Sequence, residues 1–182
     1  ELIRFPATQS HIRLGQPGLA RHDPDYFPLF VGNYILGGGG LVSRLSVAVR
    51  EQRGLSYSVY SYFYPMRERG PFVLGLQTRN DQRREALAVV RQVLAGFIAD
   101  GPTEAELEAA KKHLTGSFPL RLDSSGKIAD NLAVIGFYRL PLTYLDDFIP
   151  NVEKVTVAQV RDAFRRRVQP DKMVTVIVGG QE

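Results

Sequence analysis

Residues 37–65 read GGGGLVSRLSVAVREQRGLSYSVYSYFYP. Four glycines lead into a run with Leu41, Leu45 and Val49 at a spacing of four, the apolar stripe of a short helix. The run ends in charges at Arg50, Glu51 and Arg53, and Gly54 breaks it. Beyond Gly54 the period changes. SYSVYSYFY at 56–64 alternates, as a strand does, and PFVLGLQTR at 71–79 alternates again, with PMRERG between them at a length suited to a hairpin. Tyr60, Tyr62 and Tyr64 share one face of the first strand, and Tyr57, Val59 and Phe63 the other. Both faces are partly apolar. The sheet is therefore expected to carry helices on one side and a neighbouring domain on the other.

Working outward, QSHIRLG at 9–15 predicts a strand through Ile12 and Leu14. Asp23-Pro24 predicts a helix start, and Phe27, Phe30, Val31, Tyr34 and Ile35 form its apolar face. Gly37 to Gly40 are expected to end that helix in a tight turn. A strongly amphipathic helix is predicted over 82–99 and stopped by Asp100-Gly101-Pro102. Thr103 with Glu106, and Thr156 with Gln159, have the spacing of capping boxes for two later helices. Between them, Ser124 or Ser125 opens a helix carrying Ile128, Leu132 and Ile135, and a short helix lies near 144–149. MVTVIV at 173–178 is a continuous apolar run, the mark of a central strand. Adjacent hairpin strands with helices grouped together predict an α+β fold with a mixed, largely antiparallel sheet and helices on one face. No linker, repeat or low-complexity segment divides the chain, so residues 1–182 are expected to form one domain. Its opening, ELIRFPATQSHIRLG without a methionine, has the look of a piece of a longer protein.

The composition is globular: 44% hydrophobic and 23% charged residues, with a net charge of +4. That mild basicity does not imply nucleic acid. The exception to its scatter is Arg161 with Arg165, Arg166 and Arg167, which reads as the solvated end of a helix opposing its dipole, or as an anion patch. Cysteine is absent, which removes disulfides, thiolate zinc ligands and a thiol nucleophile. There is no apolar run of about 18 residues, hence no expected membrane span.

The residues offer no catalytic centre of their own. The three histidines, His11, His22 and His113, fit no H-x-x-E-H or related pattern, and each reads as a surface or locally bonded side chain. Glu104, Glu106 and Glu108 point in different directions on a helix, with Glu108 set to pair with Lys112 at i, i+4. G-x-S-x-G is missing. The glycine run lacks the lysine a phosphate loop needs, since Leu41 follows Gly40.

A resemblance supplies what the residues alone do not. S-R-L…V-R-E-x-R-G-L-x-Y-S-V at 43–59, then GPFVLGLQTRND, then GPTEAELEAAKKHLTGSFPLRLDSSGKIADNLA resemble the C-terminal, zinc-free half-domain of the pitrilysin/insulinase family of zinc metallopeptidases, to which the mitochondrial processing peptidase belongs. The similarity runs from about residue 9 to about residue 179. The family pairs a domain carrying H-x-x-E-H and zinc with a homologous domain lacking the ligands, the two closing like a clamshell around a chamber. The resemblance implies that this chain supplies an arginine and a tyrosine across that chamber, seven residues apart. Arg50 and Tyr57 match; Arg53, four residues from Tyr57, does not. It further implies a zinc-bearing partner domain or subunit, a peptide substrate, no cofactor in this domain and no activity of this chain alone. Without it, Arg50 reads as a helix-end cation and Tyr57 as a half-buried strand aromatic. Around them Leu45, Val49, Leu55 and Val59 read as core, Arg44 as an ion-pair partner and Ser43 as a cap. Two alternatives stand beside the peptidase half: a catalytically dead scaffold, like the core subunits of the respiratory cytochrome bc complex, and a module whose sheet edge takes up an extended peptide. A periplasmic location is expected, with the cytoplasm as the alternative.

Overall fold

Alternation is plain along Gln9–Pro17 (β2), where Ser10, Ile12 and Leu14 are buried and their neighbours are not. In the computed structural model, which describes residues 1–180, the same alternation recurs on Pro71–Arg79 (β4), with Phe72, Leu74, Leu76 and Thr78 facing inward. β2 and β4 run antiparallel in the register Ile12↔Leu76 and Leu14↔Leu74, so their apolar rows fall on one side. Val59–Phe63 (β3) pairs antiparallel with β4. Val174–Val178 (β5) pairs antiparallel with β2, and the two-residue Leu2–Ile3 (β1) lies parallel to β5. The sheet order is β1-β5-β2-β4-β3. Helices cover one face, giving the mixed α+β architecture the sequence predicts.

Three helices close the core over that face: Tyr26–Asn33 (α1), Arg83–Asp100 (α2) and Val157–Arg167 (α6). Leu29 and Val31 of α1, Val90, Leu94 and Phe97 of α2, and Val160 and Phe164 of α6 are buried with the sheet residues. Phe164 meets Phe97 edge-on at 4.8 Å, and Phe63 stacks on Phe72 at 4.3 Å. Each fully buried phenylalanine contributes roughly 1.5–3 kcal/mol. Both capping boxes form: Thr103 with Glu106 opens Glu104–Gly116 (α3), and Thr156 with Gln159 opens α6. Ser124 caps Ser125–Tyr138 (α4), accepting from Lys127 N–H. Tyr144–Glu153 (α5) runs past the predicted 144–149, with Pro150 inside it.

The glycine run departs from expectation. Instead of stopping α1, residues Tyr34–Gly38 continue it as a π turn. A β-carbon on Gly37 would stand 2.5 Å from Ser61 Oγ and 2.6 Å from Ser61 N, so this glycine lets the turn lie directly on β3. Asn33 Nδ2 donates to the Ser61 carbonyl at 3.1 Å, and Ser61 Oγ donates to Asn33 Oδ1 at 2.7 Å. The N–H of Tyr64 points to β4, bonding Pro71 O at 2.9 Å, so by alternation Ser61 directs its backbone groups away from the sheet. The free edge of β3 is thereby covered at its centre. At Ser61 that edge is not available to an extended peptide.

The arginine cluster is corrected in part. Asp25 accepts from Arg166 and Arg167, and Asp23 from Arg167, all at 2.7–2.8 Å. Arg165 caps the carbonyl end of α2 at Ile98 and Ala99. Arg161, Arg165 and Arg166 stay exposed, as a solvated helix end implies, but Arg166 and Arg167 also tie the end of α6 to the turn before α1, which the sequence does not announce. The hydrogen bond from Arg166, with Arg167 beside it, holds the Asp25 carboxyl below the usual carboxylate range. Asp23 accepts from Asp25 N–H at 3.0 Å, which makes it a turn residue, and α1 starts later than Asp23-Pro24 suggests.

Candidate functional site

The helix of the 37–65 stretch starts at Arg44. Ser43 is extended, donates to Gly40 O at 2.7 Å and accepts weakly from Ser46 N–H at 3.4 Å, the cap role expected of it. Arg44 is tied down at once. Its guanidinium grips Glu106 through two bonds of 2.7 and 2.6 Å, donates to Gly101 O at 3.1 Å and lies over the Phe97 ring at 5.1 Å. Glu106 also accepts from Thr103 N–H at 2.7 Å. These donors, Arg44 foremost, lower its pKa to about 2. The start of the helix is thus bolted to the junction of α2 and α3.

Leu45 and Val49 are buried completely, and Ser46–Glu51 winds as a π helix, with Gln52 N–H reaching Val47 O at 3.0 Å. Such wide turns shift the phase of the residues after them and recur at functional sites. Here the wide turn carries Arg50. Gly54 then takes φ +61°, a left-handed angle that reverses the chain, and Leu55 N–H closes back on Val49 O at 2.9 Å.

Tyr57 comes next, and the strand expectation fails there: β3 begins only at Val59, and Tyr57 is 84% exposed. Its ring lies under the Arg50 guanidinium, whose carbon is 4.6 Å from the ring centroid. The two residues seven apart in sequence therefore form one unit at the surface. Among the described residues, the guanidinium of Arg50 has no carboxylate partner and the phenol of Tyr57 no hydrogen-bond partner. Arg53 faces elsewhere: it folds back on the helix end, donating to Ala48 O at 2.9 Å and Gln52 Oε1 at 3.2 Å.

Ser56 and Thr78 bond the backbone on either side of Tyr57, and the sequence does not single them out. Ser56 sits between Leu55 and Tyr57, and Thr78 reads as an ordinary strand position; neither carries a local signal. The histidines stay dispersed. His11 is exposed on β2, His22 Nε2 contacts Tyr138 O at 2.6 Å, and His113 stacks on Tyr34 at 5.0 Å. Glu108 pairs with Lys112 at 2.7 Å, away from the Arg44–Glu106 tie. Among the described residues no three histidine, aspartate or glutamate side chains converge in a way that could hold a metal ion, and no helix is long and apolar enough to cross a membrane.

Comparison with known proteins agrees with this picture. The family model described as the peptidase M16 inactive domain matches residues 1–114. The chain is 35% identical over 165 residues to an uncharacterized zinc protease of Streptomyces coelicolor, covering 91% of this chain and 36% of that protein. It is 30% identical over 148 residues to the non-peptidase homolog YmxG of Helicobacter pylori, covering 80% of this chain and 34% of that one. A crystal structure of a peptidase M16 inactive domain from Pseudomonas fluorescens superposes with a TM-score of 0.94 at 45% identity, over 100% of this chain and 43% of that one. The chain belongs to the peptidase M16 family, as an inactive half-domain of the kind found in zinc proteases. It spans well under half the length of each of these proteins.

Proposed function

We propose that this chain is the metal-free half of a zinc endopeptidase and that Arg50 and Tyr57 act on a peptide bound against a zinc-bearing partner domain. The observation that carries the reading is the pair itself. A guanidinium and a phenol are stacked at 4.6 Å, displayed at the surface, with their donors committed to nothing else among the described residues. Zinc on the partner supplies Lewis acidity and an activated water. The residues of this chain supply donors. As water adds to the scissile carbonyl, negative charge grows on its oxygen, and the Tyr57 O–H donates to that oxygen most strongly in the transition state. Arg50, with its planar fork, donates to a neighbouring substrate carbonyl and fixes the peptide's register. The stacking holds each side chain in the other's reach before substrate arrives, so less freedom is lost on binding.

Surface left for a partner supports the same reading. The sheet face opposite the helices bears Tyr62 and Val174, and α4 leaves Leu132 and Phe137 exposed, with Leu120 and Leu142 exposed in the segments flanking it. Apolar area of this kind marks association surfaces.

The test is Tyr57→Phe in the assembled enzyme. Turnover is expected to fall about 10²–10³-fold, with the unfolding midpoint unchanged because the hydroxyl has no hydrogen-bond partner among the described residues. Unchanged turnover removes Tyr57 from the mechanism. A non-catalytic role is the second reading, favoured by the name of the Helicobacter pylori relative; an assembled protein that binds peptide and never cleaves it would establish that role instead.

A further inference from the structure

Tyr57 reaches solvent against the parity of its own strand. Val59 and Ser61 are buried toward the helices, and Tyr57 lies two residues before Val59. Side chains two apart on a strand share a face, so an unbroken strand would turn the Tyr57 ring into the core. The β3–β4 ladder instead begins at Val59↔Leu76. Ahead of that pair, two side-chain hydroxyls stand where backbone pairing would be. Thr78 Oγ1 donates to Leu55 O at 2.6 Å. Ser56 Oγ lies 2.6 Å from Gln77 O and 2.7 Å from Ser58 O, its single proton shared between the two carbonyls. Thr78 is 2% exposed and Ser56 6%. From the other side, Leu55 N–H is held by Val49 O. The backbone is therefore pinned immediately before and after Tyr57, while the Tyr57 ring lies against Arg50.

We infer that Ser56 and Thr78 are positioning residues for Tyr57. Their hydroxyls span the gap between the 55–58 segment and β4, hold that segment out of the ladder and so aim the phenol outward, beside Arg50. Valine at 78 leaves the buried Leu55 carbonyl without its donor and alanine at 56 frees the part-buried carbonyls of Gln77 and Ser58, and the segment recovers partners by sliding back toward β4, which withdraws the ring. The inference rests on the reading of Tyr57 as a donor to substrate, and its tests separate the two.

In the assembled enzyme, Thr78→Val is expected to lower kcat about 10–100-fold with KM within about threefold, the cost of a displacement near 1 Å. Thr78→Ser, which keeps the hydroxyl, is expected to restore kcat. In a Tyr57→Phe background Thr78→Val should cost kcat several-fold less than in wild type, because the donor hydroxyl it aims is already gone. A purely structural loosening would lower turnover in that background by as much as in wild type. A second readout is independent of turnover. With labelled arginine, the Arg50 side-chain protons should carry the upfield shift of a ring stacked on them; Thr78→Val and Ser56→Ala should abolish it, and Thr78→Ser should keep it. Wild-type kcat together with a retained shift in Thr78→Val and Ser56→Ala overturns the inference. A lost shift with unchanged kcat leaves the latch standing and refutes the role given to Tyr57. Should Thr78→Val fail to fold, Ser56→Ala carries the same two measurements.

Discussion

Replacing Glu106 by glutamine isolates the charge that bolts the Arg50 helix to the rest of the molecule. Glutamine still accepts from Thr103 N–H, so the capping box of α3 survives. What disappears is the two-pronged grip on Arg44 at 2.6 and 2.7 Å and the negative charge itself. The Glu106 carboxyl is depressed from 4.5 to about 2, chiefly by Arg44. Its side chain is 32% exposed, so solvent screens the pair, and about 1–2 kcal/mol is expected at neutral pH. The sign comes from linkage. A carboxylate with a lowered folded pKa stabilises fully above its unfolded pKa, and that stabilisation is lost as pH falls through the folded value. The difference between wild type and Glu106→Gln should therefore be constant above about pH 5, shrink below it, and be nearly gone at about pH 2. Denaturant unfolding of both proteins at a series of pH values measures it. A difference that stays flat from pH 7 to pH 2 would refute the claim that the Arg44–Glu106 charge pair contributes to stability.

Three further outcomes are expected. Arg50→Lys keeps a cation but not the planar fork; peptide turnover in the assembled enzyme should fall about tenfold or more while stability stays within about 0.5 kcal/mol, since Arg50 anchors no ion pair among the described residues. Gly37→Ala drives a methyl into the backbone and hydroxyl of Ser61, and calorimetry should show a loss of about 3 kcal/mol. Metal analysis of the purified chain should return far less than one zinc per chain; one tightly held zinc would mean that its dispersed histidines do ligate metal.

Much of the fold is legible in local pattern because its causes are local. Thr103 with Glu106 and Thr156 with Gln159 bond within four residues, and both boxes form where their spacing puts them. The alternation of β2 and β4 comes from burial of a single face. What escapes is decided across long separations. The arginines at the end of α6 find Asp23 and Asp25, more than a hundred residues away in the chain. Gly37 is needed because of Ser61, and nothing in the glycine run itself names that neighbour. Tyr57 is the sharpest case. Alternation groups it with Val59 and Phe63 as a half-buried strand aromatic, yet β3 starts only at Val59, and ahead of it the hydroxyls of Ser56 and Thr78 bond where the ladder would run. Arg50 and Tyr57 are legible only through family resemblance; their residue types in isolation point to a helix-end cation and a strand aromatic. The wide turn that brings them together has no signature in composition.

The cover over β3 has a consequence for how this molecule behaves in concentrated solution. An outermost strand with bare amides and carbonyls recruits copies of itself. With one carboxamide and one side-chain-free turn seated on its midpoint, β3 offers such stacking no continuous row of free groups, so Asn33 serves the protein's colloidal lifetime as well as its shape.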